Sequence, residues 1–295
     1  MPYLLGLDHK TIAMTSLAVS TGIAMYSTYK YLRLRRQNSQ ENVYESQKSL
    51  NEYLVFHYGT PKDLMKWDFG PQDCDFPKRC ADICIEYFNQ QPVAPNRALD
   101  IGCAVGRSTF ELTPHFQEVV GIDYSHSFVD MCNHLKESSH IDYSIQTVGD
   151  LSKSLTAKVP DNLEKEKAIF LQGDACNLPL DLGSFGCVLA ANLICRLHSP
   201  RYFLQRLASL VAPGGILVIT SPYTFMAQYT PKRNWLGGYV DDGDDEINGF
   251  EGLKLHLGAA FELIAQKDVP FVIRETERKH QWTVAHVTVW KRNKS

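Results

Sequence analysis

A short apolar run that ends in a glycine-rich turn, ALDIGCAVGRS at residues 98–108, constrains the fold more than any other segment. The run has the length of a buried strand and ends at Asp100, and a helical pattern follows Gly106. Gly102 and Gly106 allow a tight turn and a close approach of the backbone to a ligand. A strand, a glycine turn and a helix in this order are typical of nucleotide-binding α/β sheets.

The rest of the chain alternates apolar runs with helical patterns, which predicts an α/β fold with a doubly wound, Rossmann-like sheet. Helices are expected at 106–112, 127–136 and 200–211. Strands are expected at 97–101, 118–123, 168–172, 185–190, 215–220, 261–265, 271–274 and 282–290. The last of them, WTVAHVTVW, alternates with a period of two and predicts an antiparallel C-terminal hairpin. The charged stretch 150–167 lacks apolar periodicity and is interpreted as an insertion.

Composition excludes several classes of protein. Hydrophobic residues make up 44% of the 295 residues, which is ordinary for a globular chain and excludes wholesale disorder. The formal net charge of −3 gives no global field for nucleic acid, so no nucleic-acid partner is expected. The eight cysteines include no CxxC pair and often lie in apolar runs, so we expect reduced, buried thiols and no metal site.

The N-terminal segment is the exception to this average. Residues 11–29 carry no charge and have about the length of a bilayer-spanning helix, and basic residues follow from Lys30. A membrane anchor with its basic end in the cytoplasm and a soluble helix packed on the domain both remain open, whereas a cleaved signal is disfavoured. The expected organisation is an apolar helix at 1–36, a polar linker at 37–50 and a cytoplasmic catalytic domain at 51–295, of unknown oligomeric state.

Two further carboxylates lie where strands are expected to end. Asp123 closes the second strand and suits a bidentate contact to ribose hydroxyls. Asp174, in GDACNLP, closes the third and suits an exocyclic amine, with the Ala175 amide near the ring. Each carboxylate alone is more often a helix cap or a solvated loop residue. Together, at ordered strand ends, they indicate a nucleotide-type site. The turn GCAVGR lacks a third glycine, which disfavours a nicotinamide dehydrogenase.

With APGGILVITSP at 212–222, these segments resemble class I S-adenosylmethionine-dependent methyltransferases over residues 95–222. The resemblance implies one domain with a seven-stranded sheet, an antiparallel final hairpin and S-adenosylmethionine as the cofactor. It also implies contacts at the methionine, ribose and adenine groups. The cofactor-binding residues expected on this basis are Asp100, Gly102, Cys103, Gly106, Asp123, Tyr124, Asp174, Ala175 and Asn192.

Segments outside these motifs carry a narrower resemblance. They are FHYGTP, NLICRL, TSPYTF, TPKRNWLGG and RKHQWTVAHVTVWKR, and they resemble the C-terminal methyltransferase domain of ovothiol synthase over residues 50–292. That family implies methylation of a ring nitrogen of 5-thiohistidine, a small-molecule substrate. Residues 1–49 leave no room for the iron-dependent module that precedes this domain in ovothiol synthases, so methylation alone is expected. The alternative methyl acceptors are another metabolite and a protein side chain. The alternative to an enzyme is a non-catalytic, membrane-associated protein that binds S-adenosylmethionine.

Catalytic and substrate-binding candidates follow from position. Tyr223 follows the fifth strand on the side where open α/β sheets bind ligands, and His198 lies beyond the fourth as a possible proton acceptor. An amino-acid substrate needs a cation for its carboxylate and aromatic walls for its ring. The candidates for substrate binding are His57, Tyr58, Arg196, Trp235, Arg278 and Trp282. A surface or core position is the alternative for each of them.

Overall fold

The computed structural model describes residues 42–71, 74–90 and 92–294. The strands are β1 (Arg97–Ile101), β2 (Glu118–Asp123), β3 (His140–Gln146), β4 (Ser152–Lys158), β5 (Ala168–Gln172), β6 (Phe185–Ala191), β7 (Val211–Ser221), β8 (Tyr239–Val240), β9 (Glu246–Ile247), β10 (Phe261–Arg274) and β11 (His280–Arg292). The helices are α1 (Gln47–Tyr58), α2 (Pro61–Leu64), α3 (Phe76–Gln90), α4 (Arg107–Leu112), α5 (His126–Ser138), α6 (Pro200–Leu210) and α7 (Gly249–Leu257).

Seven strands form one sheet in the order β10-β11-β7-β6-β1-β2-β5. The pairs from β7 to β5 are parallel, with Asp100 opposite Gly121 of β2 and Leu189 of β6. β11 lies antiparallel between β7 and β10. This topology confirms the predicted doubly wound, Rossmann-like sheet with an antiparallel C-terminal hairpin.

The central strands are buried on both faces, which explains why they read as continuous apolar runs in the sequence. β6 is buried at every residue from Phe185 to Ala190. On one face, Phe203 and Leu207 of α6 join a core with Leu253 of α7. On the other, α3, α4 and α5 cover the sheet. The two layers leave the carboxyl ends of the parallel strands at one edge.

Helix α1 joins the N-terminal part of the described chain to this core. It begins at Gln47, where Ser46 accepts a hydrogen bond from the Ser49 amide, so the helix starts inside the stretch 37–50 that the sequence predicted as a linker. Phe56 packs against Phe76 and Phe271, with ring centroids 6.1 Å and 5.8 Å away. This packing holds the C-terminal end of α1 next to the glycine-rich turn.

Two details of the strand predictions change. The region read as an insertion at 150–167 contains a strand, β4, which pairs antiparallel with β3 as a hairpin outside the seven-stranded sheet. Only one side of this hairpin is buried, at Tyr143, Ile145 and Ala157, and its polar exposed side conceals the pattern. The strands expected at 261–265 and 271–274 are one continuous strand, β10, whose middle is exposed at the edge of the sheet.

Six of the eight cysteines are buried, as the apolar runs around them predicted. Burial raises the pKa of the Cys103 thiol, which lies beside Cys132 beneath the glycine-rich turn. The predicted helix at 1–36, including the apolar stretch 11–29, lies outside the described residues. In the part of the chain that the structure describes, no helix combines the length and the apolar character needed to cross a bilayer.

Replacing Phe271 by alanine is expected to lower the free energy of unfolding by about 3–5 kcal/mol, because its ring is 5% exposed and its loss leaves a cavity between α1 and α3. Urea denaturation measures the change. Phe69→Ala is the matched control, since that ring is 73% exposed and its loss is expected to cost no more than about 0.5 kcal/mol. Equal urea midpoints for the two variants would contradict the role of Phe271.

Candidate active site

The carboxyl ends of β1, β2, β6 and β7 meet at one edge of the sheet, where open α/β folds bind their ligands. Asp123 ends β2, Asn192 follows β6, and Tyr223 follows β7. Asp174 lies just beyond β5 at the same edge. The structure therefore brings together most of the residues that the sequence predicted for the cofactor.

The glycine-rich turn between β1 and α4 is tied to its neighbours through main-chain hydrogen bonds. The amide of Gly102 donates to the carbonyl of Ile122 over 2.7 Å. Gly102 and Gly106 have φ angles of +78° and +84°, which favour glycine. A Cβ on Gly106 would also lie 2.9 Å from the Cys132 sulfur. The Cys103 side chain is buried inside the turn, so a contact of Cys103 with the cofactor would use its main chain.

Asp123 connects this turn to α5. Its Oδ2 accepts the Ala104 amide and its Oδ1 accepts the Ser125 amide, each over 2.9 Å. Burial raises the pKa of the Asp123 carboxyl, and these main-chain donors oppose that shift. The two carboxylate oxygens have further lone pairs that can accept hydrogen bonds from hydroxyl groups. This pair of acceptors fits the two hydroxyls of a ribose.

Asp100 has a different role from the direct cofactor contact that the sequence predicted. Its side chain is 1% exposed and accepts the Thr109 hydroxyl over 2.8 Å. Burial raises the pKa of Asp100 to about 7, and the charge of Asp123 also raises it. Asp100 therefore supports the turn from below and does not face a ligand.

The adenine side of the edge is open. Asp174 is exposed, and its Oδ1 accepts the Cys176 amide over 2.8 Å, which caps the turn that starts at Ala175. Tyr124 is exposed beside Asp123, and its carbonyl accepts a hydrogen bond from Gln172 on β5. The exposed Asp174 could therefore offer its second carboxylate oxygen to the amine of a base.

Asn192 and Tyr223 both have positive φ angles, +52° and +53°, which cost energy for residues other than glycine. The main-chain amide of Asn192 donates to the Thr220 carbonyl. The side-chain Oδ1 of Asn192 accepts a hydrogen bond from the Thr220 hydroxyl over 2.9 Å. The Tyr223 amide donates to the Ser221 hydroxyl over 2.9 Å. Both strained residues stand at the carboxyl ends of neighbouring strands, where strain often accompanies function.

Sequence reasoning missed His286, whose Nδ1 lies 2.9 Å from the Tyr223 hydroxyl. The residue belongs to β11 and lies opposite Ser221 in the β7–β11 register. His286 lies inside RKHQWTVAHVTVWKR, a segment of the narrower resemblance, but the alternating pattern of that segment does not single it out. Its register with β7 is the signal that could have found it.

A second group that the sequence missed surrounds Arg196. The Arg196 guanidinium donates to the carbonyls of Cys195 and Thr224, over 3.1 Å and 2.9 Å, and lies 5.0 Å from the centre of the Tyr229 ring. Tyr44 interacts with Arg196, and burial raises the pKa of Tyr44 to about 12. The phenol of Tyr53 is close enough to Asp123 and Arg196 for both charges to affect its pKa, which burial raises.

Tyr44 and Tyr53 belong to residues 44–58, which we call the cover segment because it reaches across the site. Glu45 fixes one end of the cover segment, because its carboxylate accepts the amides of His126 and Ser127 at the start of α5. The Ser125 hydroxyl donates to the Tyr44 carbonyl over 3.2 Å. The cover segment thus spans from the end of β2 towards Arg196, beyond the end of β6.

His57 and Tyr58 do not face a substrate in this structure. The Tyr58 hydroxyl donates to the Val105 carbonyl over 2.8 Å, and His57 Nδ1 accepts the Arg107 amide over 3.3 Å. Burial lowers the pKa of His57 to about 3, and the charge of Arg107 lowers it further, so the ring is neutral. Both residues instead hold the glycine-rich turn against α1.

The remaining substrate and catalytic candidates either have partners of their own or are exposed. The Trp235 ring stacks on Phe225, and its Nε1 donates to the Thr230 carbonyl. Trp282 is 55% exposed and lies four residues from His286, about 13 Å along an extended strand. Arg278, nearer the tip of the hairpin, lies 5.4 Å from the Trp67 ring. His198 is exposed.

A cavity of about 460 Å³ lies elsewhere, between α1, α5 and the β3–β4 hairpin, with Asn51, Met131 and Ser144 in its lining. This cavity does not lie at the strand ends. The carboxylates Asp123 and Asp174 and the strained residues Asn192 and Tyr223 do. We assign the site to the strand ends, because the cavity lining has no comparable cluster of positioned functional groups.

Residues 75–249 match the family described as methyltransferase domain, and the chain belongs to this family. Among curated proteins, a 66-residue segment is 29% identical to the probable S-adenosylmethionine-dependent methyltransferase CRG1 of Saccharomyces cerevisiae. The match covers 22% of this chain and spans about a quarter of the yeast protein, 23% of its length.

A solved structure, the [4+2]-cyclase SpnF, shares the fold. SpnF is 15% identical, with a TM-score of 0.54 over 86% of this chain and 95% of that chain. The N-methyltransferase NodS from Bradyrhizobium japonicum, in complex with S-adenosyl-L-homocysteine, is 16% identical with a TM-score of 0.47, over 82% and 98% of the two chains. Because SpnF is a cyclase, the shared fold alone does not define a reaction.

The family match identifies the type of reaction, which the fold alone does not. The protein is an S-adenosylmethionine-dependent methyltransferase, and S-adenosylmethionine is its cofactor. The residues at the strand ends could hold this molecule. Asp123 would accept the ribose hydroxyls, Asp174 would accept the adenine amine, and the turn at 102–106 would contact the methionine end. When bound, the cofactor supplies an electrophilic methyl group on a sulfonium.

Asp123→Ala is expected to weaken binding of S-adenosylhomocysteine by about 10- to 100-fold, because hydrogen bonds to a charged carboxylate are worth about 1.5–3 kcal/mol. Isothermal titration calorimetry measures the dissociation constant. Asp130→Ala is the matched control, since Asp130 is exposed on α5 away from the strand ends. Unchanged affinity in the Asp123 variant would remove that residue from the cofactor site.

Asp100→Asn is expected to change how stability depends on pH. The folded-state pKa of about 7 lies above the ordinary value of 3.8, so the folded protein binds the extra proton between these values. This contribution is complete below about pH 4 and is lost as the pH rises through about 7, and each tenfold difference in proton affinity is worth roughly 1.4 kcal/mol. Wild type should therefore lose stability relative to the variant across this range.

Urea denaturation at several pH values measures that difference. Asp130→Asn serves as the control, and its difference from wild type should stay flat between pH 4 and 7. A flat profile for Asp100→Asn as well would contradict a raised pKa at Asp100.

Proposed function

We propose that this methyltransferase methylates a ring nitrogen of 5-thiohistidine, as the methylation step of ovothiol biosynthesis. The observation that carries the proposal is the Arg196 guanidinium at the end of β6, which is partly buried beside the cofactor residues. Across residues 42–71, 74–90 and 92–294, no carboxylate lies within ion-pair distance of it. The carboxylate of an amino-acid substrate is the partner that this group would bind.

The position of the narrower resemblance supports the same substrate. The segment NLICRL, which contains Arg196, directly follows β6, and TSPYTF, which contains Tyr223, includes the end of β7. β6 and β7 are neighbours in the sheet. Two segments that resemble the ovothiol synthase methyltransferase domain thus lie together at the edge where a methyl acceptor would bind, although they lie far apart in the sequence.

Aromatic side chains around Arg196 suit a planar substrate. Tyr44 and Tyr53 come from the cover segment, and Tyr229 lies against the guanidinium. Rings of this kind pack against an imidazole and exclude water from the reacting atoms. Because the cover segment crosses the strand ends, the arrangement favours a small metabolite over a protein side chain as the methyl acceptor.

The chemistry required of the protein is modest. A methyl group moves from a sulfonium by in-line displacement, so the enzyme mainly has to align the nucleophile and exclude water. Arg196 would fix the substrate carboxylate, the tyrosines would orient the ring, and Tyr223 would accept a hydrogen bond from the ring nitrogen. Asn192 would help to shape the boundary between cofactor and substrate.

Other parts of the expected function stay predictions. Membrane contact through residues 11–29, a cytoplasmic catalytic domain and the oligomeric state are not tested by the described residues. Membership of a methyltransferase family favours an enzyme over a non-catalytic membrane-associated protein.

An assay with 5-thiohistidine and methyl-labelled cofactor tests the substrate. Label is expected in an N-methylated thiohistidine, identified by mass spectrometry, and histidine is the comparison acceptor because it lacks only the sulfur. Absence of transfer at saturating concentrations would reject thiohistidine, and a screen of amino-acid and peptide acceptors would then identify another substrate class.

Arg196→Ala is expected to raise the KM for the amino-acid substrate by about 10- to 100-fold with a much smaller change in kcat, because a charge-assisted bond contributes to binding before and during reaction. Steady-state kinetics measure both constants. Arg201→Ala, at an exposed position on α6, is the matched control. The KM penalty should shrink for a substrate analogue without the carboxylate, and an equal penalty for both acceptors would contradict a carboxylate contact.

A further inference from the structure

Tyr223, His286 and Gln266 form a hydrogen-bonded chain that starts at the end of β7. The Tyr223 hydroxyl lies 2.9 Å from His286 Nδ1, and His286 Nε2 lies 3.2 Å from Gln266 Oε1. Tyr223 follows the end of β7 by two residues, His286 on β11 pairs with Ser221 of β7, and Gln266 on β10 pairs with Thr288, two residues from His286. Tyr223 stands nearest the strand ends, and Gln266 is exposed to solvent.

The chain has a defined direction. An amide oxygen only accepts hydrogen bonds, so the proton of the imidazole lies on Nε2 and Nδ1 is an acceptor. The Tyr223 hydroxyl must therefore donate to Nδ1. Its phenol oxygen then has lone pairs left to accept a hydrogen bond from another molecule.

The surroundings of His286 keep its ring neutral near pH 7. Burial lowers the pKa of His286, and the charge of Asp268, its pairing partner on β10, partly opposes this. From α7, the apolar ring of Phe250 meets His286 edge-on at 4.9 Å, and Lys254 lies on the Phe250 ring. From β7, Ser221 is the pairing partner.

Tyr223 is also held rigidly. Its φ of +53° is strained, and its ring presses on Gly249, where a Cβ would lie 2.3 Å from the ring. Burial raises the pKa of Tyr223, and the charge of Asp268 raises it further, so the phenol keeps its proton. Strain of this kind persists only where the surrounding packing over-determines it, and it clusters at active sites.

We propose that His286 is the positioning residue and final proton acceptor of the methyl transfer, acting through Tyr223. This rests on the proposed function, since it takes the acceptor to be a nitrogen that carries a proton. The N–H bond of the substrate breaks and its proton passes to the phenol oxygen of Tyr223. The proton that Tyr223 carried passes to His286 Nδ1. The nitrogen keeps the electron pair, and His286 becomes an imidazolium.

The proton then leaves to solvent, because Gln266 is exposed and the His286 ring is only partly buried. No oxidant or additional reactant is required. The step supplies a deprotonated nucleophile, and the phenol of Tyr223 returns to its starting state when the imidazolium of His286 loses its proton.

Kinetics on the full chain test the role of His286. In wild type, kcat should fall at acid pH as His286 becomes protonated. His286→Asn places an amide oxygen near the Tyr223 hydroxyl but takes up no proton, and kcat should fall about 100-fold with loss of the acidic limb. The KM for the cofactor should stay within about twofold. Tyr223→Phe and the double variant Tyr223→Phe with His286→Asn should show about the same fall in kcat, because the two residues act as one unit.

His280→Asn is the matched control. His280 is also a partly buried histidine of β11 with a burial-lowered pKa, but its Nε2 lies 2.9 Å from the Leu64 carbonyl, remote from Tyr223. Its kcat and pH profile should match wild type. If wild type methylates 5-thiohistidine while His286→Asn keeps the wild-type kcat and pH profile, the relay is overturned and the proposed function stands.

Nitrogen-15 NMR of the histidine rings gives a readout that needs no turnover. His286 should be the Nε2–H tautomer, and Tyr223→Phe should shift its Nδ1 resonance because the donor is lost. A protonated Nδ1 in neutral His286, or no shift in the variant, would overturn the relay. If wild type does not methylate 5-thiohistidine, the substrate assignment fails, and the tautomer still decides whether the relay exists.

Discussion

The Asp123 carboxylate is the contact on which the rest of the site depends. By accepting the amides of Ala104 and Ser125, it fixes the glycine-rich turn after β1 against the start of α5. Glu45 then docks on the adjacent amides of α5, which anchors the cover segment. One side chain at a strand end thus links the glycine-rich turn to the start of α5, on which the cover segment docks.

The sequence predicted the sheet well where strands are buried on both faces. β1 and β2 have the predicted bounds, because a buried parallel strand reads as an uninterrupted apolar run between turns. The edge strand β5 also has the predicted bounds, since its sequence is apolar although one of its faces is exposed. The β3–β4 hairpin was missed because more than half of its residues face water and are polar, which leaves few apolar positions to reveal the pattern. β10 was split in two because its exposed middle lacks an apolar signal.

The site was predictable only in part, for a similar reason. Residue type and strand position located Asp123, Asp174 and Tyr223, but they do not reveal which direction a side chain faces. Asp100 supports the turn from a buried position, and His57 is a buried neutral ring that caps α4. His286 depends on the register between β7 and β11, which is set by tertiary pairing and leaves no local mark.

The antiparallel strand β11 lies between β7 and β10, although it is the last strand of the chain. The cofactor residues are all in place by Asn192, whereas His286 arrives within the final strand. During synthesis, the candidate cofactor residues therefore leave the ribosome well before His286. Until β11 inserts, one edge of β7 is unpaired, so the strand that completes the sheet is also the strand that brings His286 to Tyr223.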